Sequence, residues 1–486
     1  MCMSDLLTLP FAHALHAAGA RVYTVGGTVR DILLGQPRKD IDLLVTGMPQ
    51  PDLIRILRKY GRVQLTGRAF GVIKFLPHRW HDPPIDIALP RTEISTGIGH
   101  RDFVVTFDHT LPVEIDLGRR DFTINAIAMD LATGQMLDPF GGRQDLERGI
   151  LRQVSPMAFP EDPLRMLRGV QLATRFALHL EPTTHQAMQR HAAAITTVAA
   201  ERIAEELRKL LRATAPSHGF LLMHDTGLLP HVLPEIARLV GWTTMPAMPS
   251  GNVETRDRTA GVDVFRRTLQ RLDAVQQQEI LTHRGHLALQ LAALFQDSGL
   301  PDTASAALSH PVQGAHVAQA SATLASQRLE ALKMTTIGAD PALVKRLIIA
   351  SANDPDMLGT AAALRHFAYR TGPEVLFMVV DLWLAERFAS TPPRAIDDLL
   401  DLRQRLRDEL ARHVPLSLHE LALDGHDLQR LGVPPGPQMG HILQVLLQQV
   451  LDDPACNTRA HLLAIVHSTF AHLLPAARQQ HPEDAT

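Results

Sequence analysis

The chain contains few cysteines, since only Cys2 and Cys456 occur among its 486 residues. Two cysteines exclude a disulfide framework and a metal centre built on thiolates. Sparse cysteine usage is typical of proteins kept in a reducing compartment, so we predict a cytoplasmic location.

A strong net charge and long apolar runs are also missing. The 48 Lys and Arg residues nearly balance the 51 Asp and Glu residues, and the formal net charge is −3. This balance excludes a global basic field for nucleic acid but allows a local basic surface. No uninterrupted apolar stretch reaches membrane-spanning length, so we expect no membrane partner. Asp5 and two nearby histidines disfavour a signal peptide and predict an amphipathic helix with Leu6, Phe11 and Leu15 inward.

Aromatic residues are sparse at 5%, although hydrophobic residues make up 45% of the chain. Because aromatic residues favour strands and Leu, Ala, Gln and Arg favour helices, we predict a mostly helical protein with a small sheet. Strand-like runs cover Arg21–Val25, Ile41–Val45, Val63–Leu65, Val72–Phe75, Ile85–Ala88, Met129–Asp130 and Met136–Leu137. From about Gly142 onward the apolar periodicity is helical. The predicted fold class is therefore α+β, with a small N-terminal sheet-and-helix head followed by a mostly α-helical body and tail.

The length suits three or four domains. We predict a head over residues 1–140, a helical neck over 141–240, a helical domain over 241–395 and a helical tail over 396–486. Neck helices are predicted over 160–176, 184–194 and 200–212. A stretch rich in Pro, Gly, Thr and Met over 243–261 predicts a linker or long loop.

Twelve residues separate a glycine pair, Gly26 and Gly27, from two aspartates, Asp40 and Asp42. Side chains alternate along a strand, so Asp40 and Asp42 are expected on one face, with Ile41 and Leu43 in the core behind them. Two adjacent carboxylates repel each other unless a cation lies between them, and Mg²⁺ binds carboxylates together with substrate phosphates. The aspartates therefore predict a magnesium site.

The glycine pair lies between a predicted strand and a predicted helix. Glycines at such a turn let backbone N–H groups approach a phosphate closely, and Arg30 in the first helical turn would point at the same anion. A glycine pair alone is often only a turn, and an Asp-x-Asp pair alone is often a solvated loop. Their order and spacing favour a nucleotide site over both alternatives.

The run Gly-Gly-x-Val-Arg-Asp-x-Leu-Leu-Gly from Gly26 to Gly35, followed by Asp40-Ile41-Asp42, resembles the nucleotidyltransferase superfamily that includes DNA polymerase beta. More narrowly, it resembles the bacterial tRNA nucleotidyltransferase and poly(A) polymerase family of class II. The resemblance implies a polymerase-beta-like head in which Asp40 and Asp42 are catalytic and hold two Mg²⁺ ions.

A second motif contains Arg119, Arg120, Asp121 and Asn125. Arginine presents a rigid donor fork to phosphate oxygens, and an aspartate can accept a hydrogen bond from a ribose hydroxyl. A surface charge cluster in which Asp121 caps a helix is the structural alternative. The run matches the family motif Arg-Arg-Asp-Phe-Thr-x-Asn-Ala, and the resemblance implies that these four residues bind nucleotide.

A third motif places Asp162, Arg165 and Arg168 at intervals of three residues on one predicted helix face. Asp162 can accept from the amine of cytosine or adenine, while Arg165 can donate to the neighbouring ring nitrogen. Uracil and guanine present an oxygen where the amine should be, and polar sites reject such mismatches strongly. The alternative is that Asp162 caps the helix before Pro163 and forms a solvated ion pair with Arg165. The stretch resembles the family's Glu-Asp-x-x-Arg motif, which implies amino-acid templating of CTP and ATP, with Arg168 in support.

Three further segments of the front half carry weaker signals. Asp86 is a third strand carboxylate that could approach the aspartate pair. Residues 91–114 show no clear period and correspond in position to the family's flexible loop. The run Glu201-Arg202-Ile203 is interpreted as helix packing and ion pairing.

The middle of the chain resembles the spacing of an HD-type phosphohydrolase domain, but its metal ligands have decayed. Arg267 and Gln296 stand where that family needs histidine, and arginine cannot ligate a metal. Asp297 and His310 alone are too few for a site. We therefore predict a scaffold or an RNA-facing surface.

Near the carboxyl end, a Gly436-Pro437 turn opens a predicted helix and could hold an RNA phosphate. A simple helix-hairpin turn is the alternative. The surrounding run resembles the C-terminal region of CCA-adding enzymes, and the basic tail of bacterial poly(A) polymerases is missing.

Together, the resemblances imply a template-independent RNA nucleotidyltransferase. It would add C or A nucleotides from CTP and ATP to the 3′ end of tRNA and release pyrophosphate. Poly(A) addition and CC-only or A-only addition remain open. A catalytically silent RNA-binding protein or an HD phosphohydrolase fits the motifs less well. Oligomeric state and protein partners are not inferable.

Overall fold

The computed structural model describes residues 9–36, 41–66, 72–95, 103–244, 262–303, 313–390 and 395–473. The chain divides into two compact units, Met1–Ala237 (unit 1) and Arg238–Thr486 (unit 2). Unit 1 carries the main sheet, and unit 2 is almost wholly helical. The α+β class is therefore confirmed, whereas the division into four domains stays a prediction.

The strands of unit 1 are β1 (Arg21–Val25), β2 (Asp42–Thr46), β3 (Gly61–Thr66), β4 (Val72–Pro77), β5 (Ile85–Ala88), β6 (Arg91–Ser95), β7 (Phe103–Phe107), β8 (Ala128–Asp130), β9 (Met136–Leu137), β10 (Ile150–Leu151) and β11 (His179–Leu180). Seven of them form one sheet in the order β3-β4-β5-β2-β1-β8-β9. Strands β2 and β5 run parallel, and the other neighbours in this sheet are antiparallel. All seven predicted strands are confirmed, with ends within two residues of the prediction.

The helices of unit 1 are α1 (Pro10–Ala17), α2 (Gly27–Leu33), α3 (Gln50–Leu57), α4 (Val113–Gly118), α5 (Gly142–Glu147), α6 (Ala158–Glu161), α7 (Leu164–Phe176), α8 (Pro182–His191), α9 (Ala200–Leu211), α10 (Ser217–Asp225), α11 (Leu229–Val232) and α12 (Pro234–Ala237). The first helix buries Phe11 and Leu15 against the sheet, as predicted, while Leu6 lies outside the described residues. The Phe11 ring meets the Phe75 ring edge to face, with 4.9 Å between centroids. Helix α1 thus closes one face of the sheet.

The helix predicted over 160–176 is wrong in one respect, because it is broken at Asp162. Helix α6 ends at Glu161, and α7 begins at Leu164. Asp162 is extended, with φ −140° and ψ 97°, since a residue before proline is disfavoured in the helical region. The break releases Asp162 from regular helix geometry and places it at the entry of α7.

Two strands, β6 and β7, lie in residues 91–114, where the sequence shows no clear period. Strands β6 and β7 pair antiparallel, with Arg91 opposite Phe107 and Ser95 opposite Phe103. Both segments contain β-branched residues, which favour strands. The connection over residues 96–102 lies outside the described residues.

Unit 2 contains β12 (Thr243–Thr244), β13 (Val262–Asp263), α13 (Val264–Gln277), α14 (Leu287–Phe295), α15 (Leu300–Thr303), α16 (Gln313–Ala331), α17 (Pro341–Ser351), α18 (Ala361–Thr371), α19 (Pro373–Ala389), α20 (Asp397–Ala411), α21 (Gly425–Arg430), α22 (Pro437–Asp452) and α23 (Arg459–Thr469). The predicted linker falls mostly on residues 245–261, outside the described residues. Buried Arg365 donates to the Leu451 carbonyl and to Glu409, which ties α18 to α22 and α20. Within the described ranges of the chain, no helix is both long and apolar enough to cross a membrane.

Candidate nucleotide-binding cleft

Unit 1 contains a cleft of about 850 Å³ between the sheet and helices α4, α7 and α9. That volume lies in the range of small-molecule sites. The predicted site residues that line it are Gly26, Gly27, Arg30, Asp42, Arg119, Arg120, Asp121, Asn125, Asp162, Arg165 and Arg168. The remaining one, Asp40, lies outside the described residues. Three motifs separated in sequence therefore meet in one place.

The lining of the cleft is strongly cationic. It includes nine arginines and one lysine against six aspartates, although the whole chain carries a net charge of −3. A concave surface with an excess of positive charge attracts and concentrates anions. The cleft is thus a local basic surface of the kind that the balanced overall charge allowed.

Asp42 opens β2 at the sheet side of the cleft. Ile41 and Leu43 on either side of it are buried, as predicted, and Asp42 itself is half-buried. The placement of Asp40 on the same face stays a prediction. The parallel register places Asp42 beside Asp86 of β5. Asp86 accepts from Lys74 Nζ at 3.1 Å, so a cation already balances this third carboxylate. No group of three His, Cys, Asp or Glu side chains able to hold a metal occurs among the described residues.

Gly26 precedes α2 with a positive φ of 69°, a backbone region that favours glycine. A β-carbon at this position would lie 2.5 Å from Nη1 of Arg120. Glycine therefore gives both the turn and the space in which the Arg120 guanidinium approaches the start of α2.

Asp116 of α4, which was not predicted as a site residue, holds the arginine pair. It is fully buried, and its carboxylate accepts from Arg119 Nε at 2.8 Å and from Arg120 Nη2 at 3.1 Å. A buried carboxylate needs such partners, and its spacing of three and four residues from the arginines is the helical one. That spacing was the signal in the sequence that could have identified Asp116.

Asp121 connects the second motif to the third. Its Oδ1 accepts from Asn125 Nδ2 at 3.0 Å and from the Phe122 amide at 2.8 Å. Its Oδ2 accepts from Arg168 Nε at 3.0 Å and lies 2.9 Å from Arg168 Nη2. Four contacts match the acceptor capacity of a carboxylate, so Asp121 is fully engaged by protein groups.

The environment of Asp121 favours its charged form. Burial raises the pKa of its carboxyl, but the Arg168 charge and the hydrogen bonds from Asn125 and Phe122 outweigh burial, and the pKa is lowered. Asp121 is therefore an anion at neutral pH, and it orients Arg168 at the wall of the cleft.

Arg30 is held on three sides. It donates from Nη1 to Asn125 Oδ1 at 2.7 Å and from Nε to Asp31 Oδ1 at 2.9 Å. Its guanidinium carbon lies 4.5 Å from the ring centre of Phe176, and Arg175 contacts the same ring at 4.7 Å. Such cation–π contacts fix the plane of the guanidinium. Phe176 was not predicted, because its partner lies far away in the sequence.

Asp162 does not pair with Arg165, which contradicts the solvated ion pair considered as an alternative. Its carboxylate instead receives Arg202 of α9, from Nη2 to Oδ2 at 2.7 Å and from Nη1 to Oδ1 at 3.3 Å. Asp162 also accepts from the Leu164 amide at 3.2 Å, so the capping contact is present. Arg165 donates to the Arg119 carbonyl at 2.8 Å and to Glu161 at 3.3 Å.

Further cleft residues were not predicted. They are Arg91, Asp116, Gln171, Leu172, Arg175, Arg208, Lys209 and Arg212. The spacing of Arg168 and Arg175, and of Arg208 and Arg212, repeats the one-face period of a helix. The sequence does not show that α7 and α9 pack side by side along the cleft.

In unit 2, the predicted remnant of a metal site is an ion-pair cluster. The fully buried Arg271 donates to Asp297 at 2.7 Å and to Glu386 at 2.6 Å, and Arg267 donates to Asp297 at 3.2 Å. Burial raises the pKa of Asp297, but the arginines outweigh burial and lower it to about 2. The arginine side chains thus already pair with the carboxylates that would have to bind a metal ion. His310 lies outside the described residues.

At the carboxyl end, Gly436 precedes α22 with Pro437 as its first residue. Nearby, Asp427 accepts from Arg459 at 2.6 Å and from Arg430 at 3.2 Å. The RNA-phosphate role of the Gly436-Pro437 turn stays a prediction.

Three family models match the chain. Residues 22–152 match the Poly A polymerase head domain, residues 177–239 match the probable RNA and SrmB-binding site of polymerase A, and residues 322–466 match a putative domain 2 of tRNA nucleotidyltransferase. The resemblance to the bacterial tRNA nucleotidyltransferase and poly(A) polymerase family is confirmed. The HD-like interpretation of the middle stays a prediction.

Similar curated proteins agree with the family models. The Multifunctional CCA protein of Xanthomonas campestris pv. campestris strain B100 is 42% identical over 226 residues, which are 46% of this chain and 52% of that protein. The protein of the same name from Nitrosomonas eutropha is 39% identical over 237 residues, which are 48% of this chain and 54% of that protein. The chain thus matches about half the length of these relatives.

Solved structures show the fold. The CCA-adding enzyme of Bacillus stearothermophilus in complex with CTP has a TM-score of 0.66 at 22% identity, covering 97% of this chain and 100% of that one. The Thermotoga maritima CCA-adding enzyme complexed with tRNA has a TM-score of 0.54 at 20% identity, covering 96% and 98%. At these identities, the likeness establishes the CCA-adding enzyme fold.

Proposed function

We propose that the chain is a template-independent RNA nucleotidyltransferase that adds C and A nucleotides from CTP and ATP to the 3′ end of tRNA and releases pyrophosphate. One observation carries the proposal. A single cationic cleft joins Asp42 at the sheet, the arginines of the second motif, and the pair Asp162 and Arg165. Such a cleft would hold the triphosphate and the base of the nucleotide next to the 3′ end of the RNA.

The carboxylates of the cleft fit Mg²⁺ by their chemistry. Asp42 presents a half-buried carboxylate to the cleft, and Mg²⁺ is commonly bound through one or two carboxylates plus substrate phosphates. Asp40 is the second predicted ligand. When bound, the metal ions would supply charge neutralisation on the triphosphate and activation of the RNA hydroxyl.

The arginines would position the triphosphate. Arg119 and Arg120 are held by buried Asp116, and Arg30 is held by Asn125 and Asp31. Fixed guanidinium groups lose little entropy when they bind phosphate. Phosphoryl transfer depends mainly on such alignment and charge stabilisation. Asp121 would act through Arg168 and Asn125, because its acceptor sites are filled.

Asp162 and Arg165 would choose the base. We expect Asp162→Ala to reduce the preference for CTP over UTP by about 10–100-fold, because the amine loses its acceptor while the triphosphate keeps its arginines. The measurement is the kcat/KM ratio for the two nucleotides on one tRNA. Unchanged selectivity would leave Asp162 only its capping role.

The decisive experiment uses three tRNAs that end before CCA, after C and after CC. Each is incubated with labelled CTP or ATP, and the products are sized. The proposal expects CTP to be used by the first two RNAs and ATP by the third, with addition stopping at CCA.

The same assay separates the alternatives. The match to a poly A polymerase head domain favours poly(A) addition as the second candidate, which would give long ATP-dependent products. CC-only or A-only addition would leave one of the three RNAs unextended. No incorporation with any RNA would contradict the proposal. A cytoplasmic location stays a prediction.

A further inference from the structure

Arg202 covers both oxygens of Asp162 from the neighbouring helix. We propose that Arg202 is a positioning residue that fixes the Asp162 carboxylate and thereby sets the base preference of the cleft. The inference rests on the proposed function of Asp162. Arg202 itself would not touch the nucleotide, because its guanidinium is committed to the carboxylate.

The acceptor capacity of Asp162 supports the assignment. A carboxylate offers about four acceptor positions. The Leu164 amide and Arg202 Nη1 use Oδ1, and Arg202 Nη2 uses Oδ2. The described contacts leave one position, on Oδ2. An amine donor from cytosine or adenine fills that position, whereas a carbonyl oxygen from uracil or guanine is repelled by it.

Arg202 can hold this orientation because both sides of the pair are anchored. Its fork binds a carboxylate through two N–H groups in a fixed plane. Helix α9 buries Ile203 and Leu207 next to Arg202 and packs on α7, while the Leu164 amide fixes Asp162 at the start of α7. The carboxylate is thus held between two packed helices.

Arg202 also keeps Asp162 away from Arg165. Arg165 is fixed by the Arg119 carbonyl and Glu161, and the described contacts leave its Nε donor unused. The pKa of Arg168 is raised mainly by the charge of Asp121 and, to a lesser extent, by that of Asp162. Without Arg202, we expect the freed carboxylate to turn to these arginines. Both the acceptor and the donor needed for the base would then be lost.

The test compares the full-length wild type with Arg202→Ala, Arg202→Lys and the control Arg190→Ala, which removes an exposed arginine of α8 outside the cleft. Equilibrium binding of CTP, ATP, UTP and GTP gives the selectivity, and competition by inorganic tripolyphosphate reports the triphosphate site. We expect Arg202→Ala to lower the CTP/UTP affinity ratio by about 10–100-fold with unchanged tripolyphosphate binding. Arg202→Lys should restore only part of the ratio, because it keeps the charge but not the fork.

A double variant separates positioning from general destabilisation. If Arg202 acts through Asp162, Asp162→Ala/Arg202→Ala has the same ratio as Asp162→Ala alone, since coupled residues are not additive. A wild-type ratio in Arg202→Ala, or a further loss in the double variant, would overturn the inference. A wild type that binds CTP and UTP equally would contradict the role of Asp162 itself, and the inference with it.

Discussion

At the scale of single residues, buried carboxylates organise the cleft by holding arginines. Asp116 fixes Arg119 and Arg120, and Asp121 fixes Arg168. Unpaired, these carboxylates would be costly to bury. Paired, they hold a row of cations in fixed positions before any anion arrives.

Replacement of Asp121 tests this organisation. We expect Asp121→Asn to lower the free energy of unfolding by about 1–3 kcal/mol, a range reduced from that of a fully buried pair because Arg168 is 44% exposed. The KM for CTP should also rise, since Arg168 loses its anchor. The exposed Asp52→Asn, which breaks a surface pair with Arg55, is the matched control. Unchanged KM and stability in Asp121→Asn would contradict the anchoring role.

Sequence reasoning found many of the residues that line the cleft but few of the residues that hold them in place. Gly26, Arg120 and Asp162 belong to dense local motifs, and local spacing is readable from the sequence. The sequence predicted ion pairing at Arg202 but not its distant partner Asp162, and it gave no signal for Phe176, which contacts Arg30 from a distant segment. The break at Asp162 was readable from Pro163, and the alternative in which Asp162 caps the following helix agrees with it.

At the scale of helices and strands, a buried ion-pair cluster organises part of unit 2. Arg271 of α13 donates to Asp297, in the turn after α14, and to Glu386 of α19. The predicted scaffold role agrees with this packing, since breaking a buried ion pair leaves an uncompensated charge.

We expect Asp297→Asn to destabilise unit 2 by about 3–5 kcal/mol at neutral pH. Peptide-resolved hydrogen exchange of α14 measures the change, because a chain with two units need not unfold in one step. The control Asp302→Asn removes an exposed ion pair with Arg238 and should cost less than about 1 kcal/mol.

The same pair predicts a pH dependence. The folded pKa of Asp297 is lowered to about 2, below the value of about 3.9 for an unfolded chain. Its stabilising contribution is therefore complete above pH ~4 and is lost as the pH falls through about 2. The advantage of wild type over Asp297→Asn should shrink across that window. An advantage independent of pH would contradict the charged pair.

At the scale of the whole molecule, positive charge is concentrated around one cleft, although the net charge of the chain is small. A chain of net charge −3 gathers ten cationic side chains around one cleft, which composition alone could not reveal. The α+β class followed from periodicity and from the family motifs, whereas the sheet order was not predicted. The exact partners across the cleft depend on the packing of α7 against α9, which the sequence alone does not show.

Removal of divalent cations tests the metal requirement. We expect EDTA to abolish nucleotide incorporation and added Mg²⁺ to restore it, because the phosphates and the attacking hydroxyl need charge compensation. Circular dichroism should stay unchanged, since apolar clusters such as the one around Phe75 and Leu43 hold the sheet. Full incorporation in EDTA would contradict the magnesium role.

The most direct test of the account is single-turnover transfer of CMP to a tRNA lacking CCA by wild type, Asp42→Ala and the surface control Asp52→Ala. We predict rapid transfer by wild type and control, and a rate at least roughly a thousandfold lower for Asp42→Ala, equivalent to about 4 kcal/mol of lost transition-state stabilisation. Filter binding should show equal tRNA affinity for all three proteins. Transfer by Asp42→Ala at the wild-type rate would contradict the central claim.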